Sequence, residues 1–220
     1  MTSDHVIRLR RLDTCAVSDA LDALGLPASV SGLSRRSGQG VLAGLVSTVT
    51  LAAGPAPADA PKVHLCARAI DGGGPGTVIV VSHPGVDAGG WGGVLSNAAR
   101  RRGIEGVVVD GPARDIDEAA GLAFPIFARG TTARTARGRV HETATDAPIE
   151  VAGVVVAPGD YVIADGSGVA FIAASRIADV LATAEGIAAK ELLMTRRVRG
   201  GDSVSEVMGA DYETMLERPA

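Results

Sequence analysis

Apolar and polar positions change their rhythm several times along the 220 residues, and each change predicts an element. Residues 4–12 and 16–24 read as two short helices. Thr14 is placed to cap the second, and Gly25 to stop it ahead of Pro27. GVLAGLVSTVTLAAG (40–54) is rich in β-branched residues and reads as a strand, and PKVHLCARAI (61–70) as a helix with Pro61 in its first turn. TVIVVSH (77–83) is an apolar run between turn residues, as in a strand buried on both faces. A flexible GVDAGGWGG (85–93) then feeds a helix over Val94 to Arg102. IEGVVVDG (104–111) is a second buried strand, turned by Gly111-Pro112. A short helix in PARDIDEAAGL (112–122) and a strand in FPIFARG (124–130) follow. This alternation predicts an α/β layer with a parallel sheet.

Beyond it, TTARTARGRVHETATDA (131–147) is polar and turn-like, and residues 149–174 break into short strands. That texture predicts a small β layer added to the parallel one, not a separate domain. Ser175 to Arg197 reads as a long Ala-rich helix and Ser203 to Leu216 as a last amphipathic piece. One domain over 1–220 is expected, with its C-terminal helices at about 175–218.

Composition narrows this picture. Hydrophobic residues are 46% of the chain and aromatic ones 3%, so the core is built from Val, Ala, Leu and Ile. A net charge of −4 gives no electrostatic drive toward nucleic acid. Arg100 to Arg102, at a helix end, complement the helix dipole. Cys15 and Cys66 lack the spacing of a disulfide framework or zinc site. No apolar run reaches the ~20 residues needed to span a bilayer, and no signal peptide is visible. A cytoplasmic protein without a membrane partner is expected.

Most candidate chemistry reads as structure. DGGGPGT (71–77) precedes a strand and lacks the Lys-Ser/Thr of a phosphate loop. HET (141–143) lacks the second His of a zinc-hydrolase helix, and neither Ser82 nor Ser96 sits in a nucleophile elbow. His83, at a strand end, reads as a hydrogen-bonded structural residue. Residues 89–118 are different. GGWGG sets glycines at a helix start, where unpaired amides and the dipole favour an anion. Arg114 follows a buried strand, at the sheet edge where ligands bind, and offers a planar fork to a carboxylate. Asp115 and Glu118, at i and i+3, share a helix face and can both approach a divalent cation.

In order and spacing, four segments resemble the family that contains 4-hydroxy-4-methyl-2-oxoglutarate aldolase and the RraA-type regulator of ribonuclease E. They are VSDALDALG (17–25), WGGVLSNAARRRGIEGVVVDGPARD (91–115), FPIFARG, and GVVVAPGDYVIADGSGVAFI (153–172). The resemblance implies a three-layer β/β/α swivelling domain, assembled as a homo-oligomer (a trimer or a dimer of trimers). For the aldolase branch it implies a metal-dependent lyase using Mg²⁺ or Mn²⁺ on a small carboxylate substrate. The reactions are retro-aldol cleavage of a 4-hydroxy-2-oxo diacid, releasing pyruvate, and decarboxylation of an oxaloacetate-like acid. Both leave an enolate, whose developing charge a cation stabilises. Carried onto this chain, Arg114 is the catalytic cation at a substrate oxygen. Asp115 ligates the metal and Glu118 assists through water. The amides of Gly92, Gly93, Val94 and Leu95 hold the carboxylate. One position departs: the family's aldolases carry an acid where this chain has Gly93, which predicts a wider cleft with one negative charge fewer. Asp87, on the same loop, is a candidate replacement. Two other readings stand beside the lyase. One is a non-enzymatic regulator that docks on a partner, the other a family member recruited to another reaction on a carboxylate. Glu185, Glu191 and Glu206 are candidate proton carriers from a neighbouring subunit.

Overall fold

The computed structural model describes residues 3–27, 29–61 and 63–209. Its strands are β1 (Ser34–Ser37), β2 (Leu42–Ala53), β3 (Thr77–Ser82), β4 (Gly106–Ala113), β5 (Ile126–Thr131), β6 (Val140–Thr145), β7 (Ile149–Val151), β8 (Val154–Val156), β9 (Tyr161–Ala164) and β10 (Val169–Ile172). Its helices are α1 (Asp4–Leu9), α2 (Thr14–Ala23), α3 (Ala67–Gly72), α4 (Gly93–Arg102), α5 (Ile116–Gly121), α6 (Ile177–Arg199) and α7 (Val204–Val207).

Helices α3, α4 and α5 each cross over between consecutive parallel strands, so β2, β3, β4 and β5 lie side by side. Antiparallel strands extend both edges, giving the order β1-β5-β4-β3-β2-β9-β10, and β6 also pairs with β2. The alternation of side chains divides the core. Val78, Val80, Val108 and Phe127 face inward, onto the β7–β8 hairpin and the apolar side of β9 and β10. Ile79, Val81, Val107, Val109, Ile126 and Ala128 face outward, under α3 to α5. A third cluster packs α1, α2 and α6 on Ala43, Ile163, Ala170 and Ile172. The result is the expected α/β arrangement of β/β/α layers, built on one curled mixed sheet. Trp91 is its largest buried side chain and stacks on Phe124, with centroids 6.1 Å apart.

Several local readings are corrected. Asp13, not Thr14, caps α2, because its carboxylate accepts from the Ala16 amide at 2.8 Å. The 61–70 segment is helical only from Ala67, after Cys66 takes a left-handed conformation (φ 64°). Pro61 therefore starts no helix. Residues 140–145 are a strand, not turns, whose polar texture reflects mostly half-exposed pairing beside β2. β1 reads SRRS and gave no apolar signal; Arg36 holds it to the Ala128 and Arg129 carbonyls, and Arg35 lies over Phe127. Gly111 and Pro112 do not turn the chain: β4 runs on to Ala113 with an irregular register between Val109 and Pro112. The last amphipathic piece is helical at Val204–Val207, and its residues 210–216 lie outside the described residues. No helix among the described residues is long and apolar enough to cross a membrane.

Candidate functional site

The 84–93 loop leaves the C-terminal end of β3 and returns as α4; the next strand, β4, ends at Ala113 beside it. Backbone bonds lock the two together. Gly90 N–H donates to the Pro112 carbonyl at 2.9 Å, and Arg114 N–H to the Trp91 carbonyl at 3.0 Å. Trp91 anchors the loop from below, donating its indole N–H to Ser96 Oγ at 2.9 Å; Ser96 in turn donates to the Gly92 carbonyl. The apolar stem of Arg114 lies across the loop, and a Cβ on Gly89 would stand 3.0 Å from it. Bare glycine backbone is what allows that crossing.

Asp115 stands at the turn into α5 with φ 56° and ψ 41°, a left-handed conformation that Asp tolerates better than most residues. Its carboxylate does not cap its own helix. It reaches across the cleft to accept from Gly93 N–H at 2.9 Å, and takes Arg114 Nε at 3.2 Å. Glu118, one turn on, accepts from Asn97 Nδ2 at 2.6 Å. The structure therefore brings together Arg114, Asp115, Glu118 and the start of α4. The amides of Val94 and Leu95 find no acceptor among the described residues, whereas the Gly93 amide is already given to Asp115. Of the four amides expected to hold a carboxylate, Gly93's is thus engaged.

Arg114 and Asp115 line two adjoining cavities. The larger, about 570 Å³, opens between α5 and Thr131 to Ala133. The smaller, about 200 Å³, runs along the start of α4 to His64 and Thr135. Sequence reasoning missed His64, Thr131, Thr132 and Thr135, because they sit in segments read as a helix and as polar turns. The Thr pair after FPIFARG was findable, since it stands at the C-terminal edge of a parallel strand. Asn97 was also missed, though it lies one turn from Gly93.

Other candidates resolve into structure. Asp87 accepts from Thr132 at 2.7 Å and pairs with Arg134 at 3.0 Å. Gly93 leaves no empty space, because the Glu118 carboxylate lies over it, so the expected widening does not occur there. His83 packs its ring on Gly111 and Gly90, and its Nδ1 accepts from Gly85 N–H. Burial pushes its pKa down, against smaller opposing effects of the Ala88 carbonyl and Asp110. Glu142 of the HET segment is a clasp, accepting from the Cys66 amide at 2.6 Å. Among the C-terminal acids, Glu185 pairs with Arg8, and Glu206 accepts from the amide of Ser203, the N-cap of α7, to complete a capping box. Glu191 is different: burial, then the charges of Asp13 and Asp19, raise its pKa.

A family model described as "RraA-like: Aldolase/RraA" matches residues 14–171. A Halalkalibacterium halodurans protein named "Putative 4-hydroxy-4-methyl-2-oxoglutarate aldolase" is 33% identical, covering 83% of this chain and 82% of its own. An uncharacterised Pseudomonas syringae protein superposes with a TM-score of 0.84 at 28% identity, covering 93% of this chain and 96% of its own. Streptomyces coelicolor RraAS2, described as an unusual member of the RNase ES inhibitor RraA protein family, does so with 0.76 at 26% identity, covering 90% and 98%. The chain spans only 28% and 58% of the lengths of two other curated relatives that it matches. With the matched segment holding both walls of the cleft, the chain belongs to the RraA-like (Aldolase/RraA) family.

Proposed function

We propose that this protein is a divalent-metal-dependent lyase of a small 2-keto acid. It cleaves a 4-hydroxy-2-oxo diacid to release pyruvate, decarboxylates an oxaloacetate-like acid, or does both. The observation that carries this reading is the convergence of unpaired helix-start amides, Arg114 and two carboxylates on one cleft. Among the described residues, no group of three or more His, Cys, Asp and Glu gathers as a protein cage for a metal. Mg²⁺ and Mn²⁺ suit a sparser set. Mg²⁺ keeps several waters and takes one or two carboxylates together with substrate oxygens. Asp115 and Glu118 supply such carboxylates, and a cation held there lends positive charge to the substrate's keto and carboxylate oxygens.

The chain's own groups divide the rest of the work. The amides of Val94 and Leu95 hold the substrate carboxylate, helped by the positive end of α4. Arg114 keeps its terminal nitrogens for a substrate oxygen, since only Nε is engaged by Asp115. Its positive charge therefore stands where negative charge builds as the carbon–carbon bond breaks. Asp115 fixes both partners, orienting Arg114 and the loop through Gly93. A homo-oligomer, a trimer or a dimer of trimers, is the assembly proposed for this chain.

A coupled assay with lactate dehydrogenase tests the reading. Pyruvate should appear from a 4-hydroxy-2-oxo diacid or from oxaloacetate only with Mg²⁺ or Mn²⁺ present, and stop on adding chelator. Release that ignores chelator, or persists in Asp115→Asn, contradicts it. The likeness to RraAS2 favours a second reading, a non-enzymatic regulator acting through a docked partner; that reading expects no turnover and no need for Asp115.

A further inference from the structure

Gly93 is the first residue of α4, and nothing in its backbone asks for glycine. Its φ is not in the left-handed region, so any residue could adopt this backbone conformation. What asks for glycine is a neighbour. A Cβ at this position would fall on Glu118 Oε2 and lie 2.6 Å from Glu118 Cδ, so the carboxylate sits in the volume any other side chain would take. Asn97, one turn along α4, holds the arrangement: its Nδ2 donates to Glu118 Oε1 at 2.6 Å and to the Gly93 carbonyl at 2.9 Å. The same glycine gives its N–H to Asp115 Oδ2 at 2.9 Å. Asp115 and Glu118 therefore flank one residue, with their nearest oxygens no more than about 7 Å apart.

We propose that Gly93 and Asn97 are positioning residues that seat Glu118 beside Asp115, so that the second carboxylate of the cation site reaches the cleft only through the gap at Gly93. The inference rests on the lyase reading for the cation itself. It makes residues 93 and 118 one functional unit, in which a larger residue at 93 acts by expelling Glu118.

Mn²⁺ titration followed by the electron paramagnetic resonance of the free ion, in the presence of oxalate, tests this without reference to turnover. Gly93→Ala and Glu118→Gln are each expected to weaken Mn²⁺ binding ~10- to 100-fold, the range for residues that support a metal site from behind its ligands. The double variant is expected to bind no more weakly than either single one, because both changes remove the same carboxylate. Gly93→Asp combined with Glu118→Ala returns an acid to the same space and is expected to recover most of the affinity; it also keeps the test open should Gly93→Ala fold poorly. Wild-type affinity in Gly93→Ala, losses that multiply in the double variant, or no recovery with the relocated acid would each overturn the proposal. If Asp115→Asn loses Mn²⁺ while Gly93→Ala and Glu118→Gln keep it, the lyase reading stands and this inference falls. If the wild-type protein binds no Mn²⁺, both fall.

Discussion

Asp115 joins a backbone conformation to a chemical role, and three substitutions separate the two. Asparagine keeps both the left-handed conformation and an oxygen for Gly93 N–H. Glycine keeps the conformation alone, and alanine keeps neither. Left-handed backbone costs an ordinary residue about 1–2 kcal/mol, and the lost hydrogen bond adds about 1 kcal/mol. The ion pair with Arg114 adds little, since both side chains are about one-third exposed. Asp115→Ala should therefore lie about 2 kcal/mol below Asp115→Asn, a difference in Tm of roughly 4–8 °C for a chain of this size. Asp115→Gly should fall between them. Differential scanning fluorimetry gives the order, and the pyruvate assay on the same samples should show all three at least ~100-fold down. Equal stability of the alanine and asparagine variants would refute the backbone argument. Metal-dependent turnover in the asparagine variant would refute the chemical one.

Three further outcomes are expected. Arg114→Lys should not rescue the loss seen in Arg114→Ala, because an ammonium cannot offer the planar fork; kcat/KM for pyruvate release should fall ~100-fold in both. Gly111→Ala drives a Cβ to 2.6 Å from His83 Nδ1, and this overpacking should cost about 1–3 kcal/mol, read as a lower Tm with the cleft residues unchanged. His83 sets a pH dependence. Burial lowers its folded pKa below the unfolded value near 6.5, so the unfolded chain binds the extra proton first. Stability should therefore drop as pH falls through about 6.5, and urea midpoints for His83→Gln should decline less over that window.

How far the chain disclosed itself follows from where its energy is spent. The central parallel strands β3 and β4 were legible because their runs Val78 to Val81 and Val107 to Val109 are buried on both faces and so are written in Val and Ile without interruption. The paired ends of 91–115 were legible because helix-start glycines and an Arg-Asp pair are local chemistry. β1 and β6 were not, since edge and half-exposed strands are held by pairing with β5 and β2, and their polar residues follow solvent more than pairing. The reach of Asp115 to Gly93, and of Glu118 over it, was also hidden. Each joins elements more than twenty residues apart through a carboxylate whose direction depends on a backbone angle and on the absence of a Cβ. Sequence spacing put both acids on one helix face; the fold instead sets Asp115 ahead of α5 in a left-handed turn, with Glu118 on the helix filling the space above Gly93.

The central claim is that helix-start amides, Arg114 and two carboxylates form one cation-and-carboxylate site. A crystal structure of the wild-type protein with Mg²⁺ and oxalate tests it most directly, since oxalate has the shape and charge of pyruvate enolate. The expected result is Mg²⁺ beside Asp115 and Glu118, with oxalate oxygens on the cation, on Arg114 and on the amides of Val94 and Leu95. A cleft free of both at saturating concentrations, or oxalate bound away from Arg114, would contradict the account.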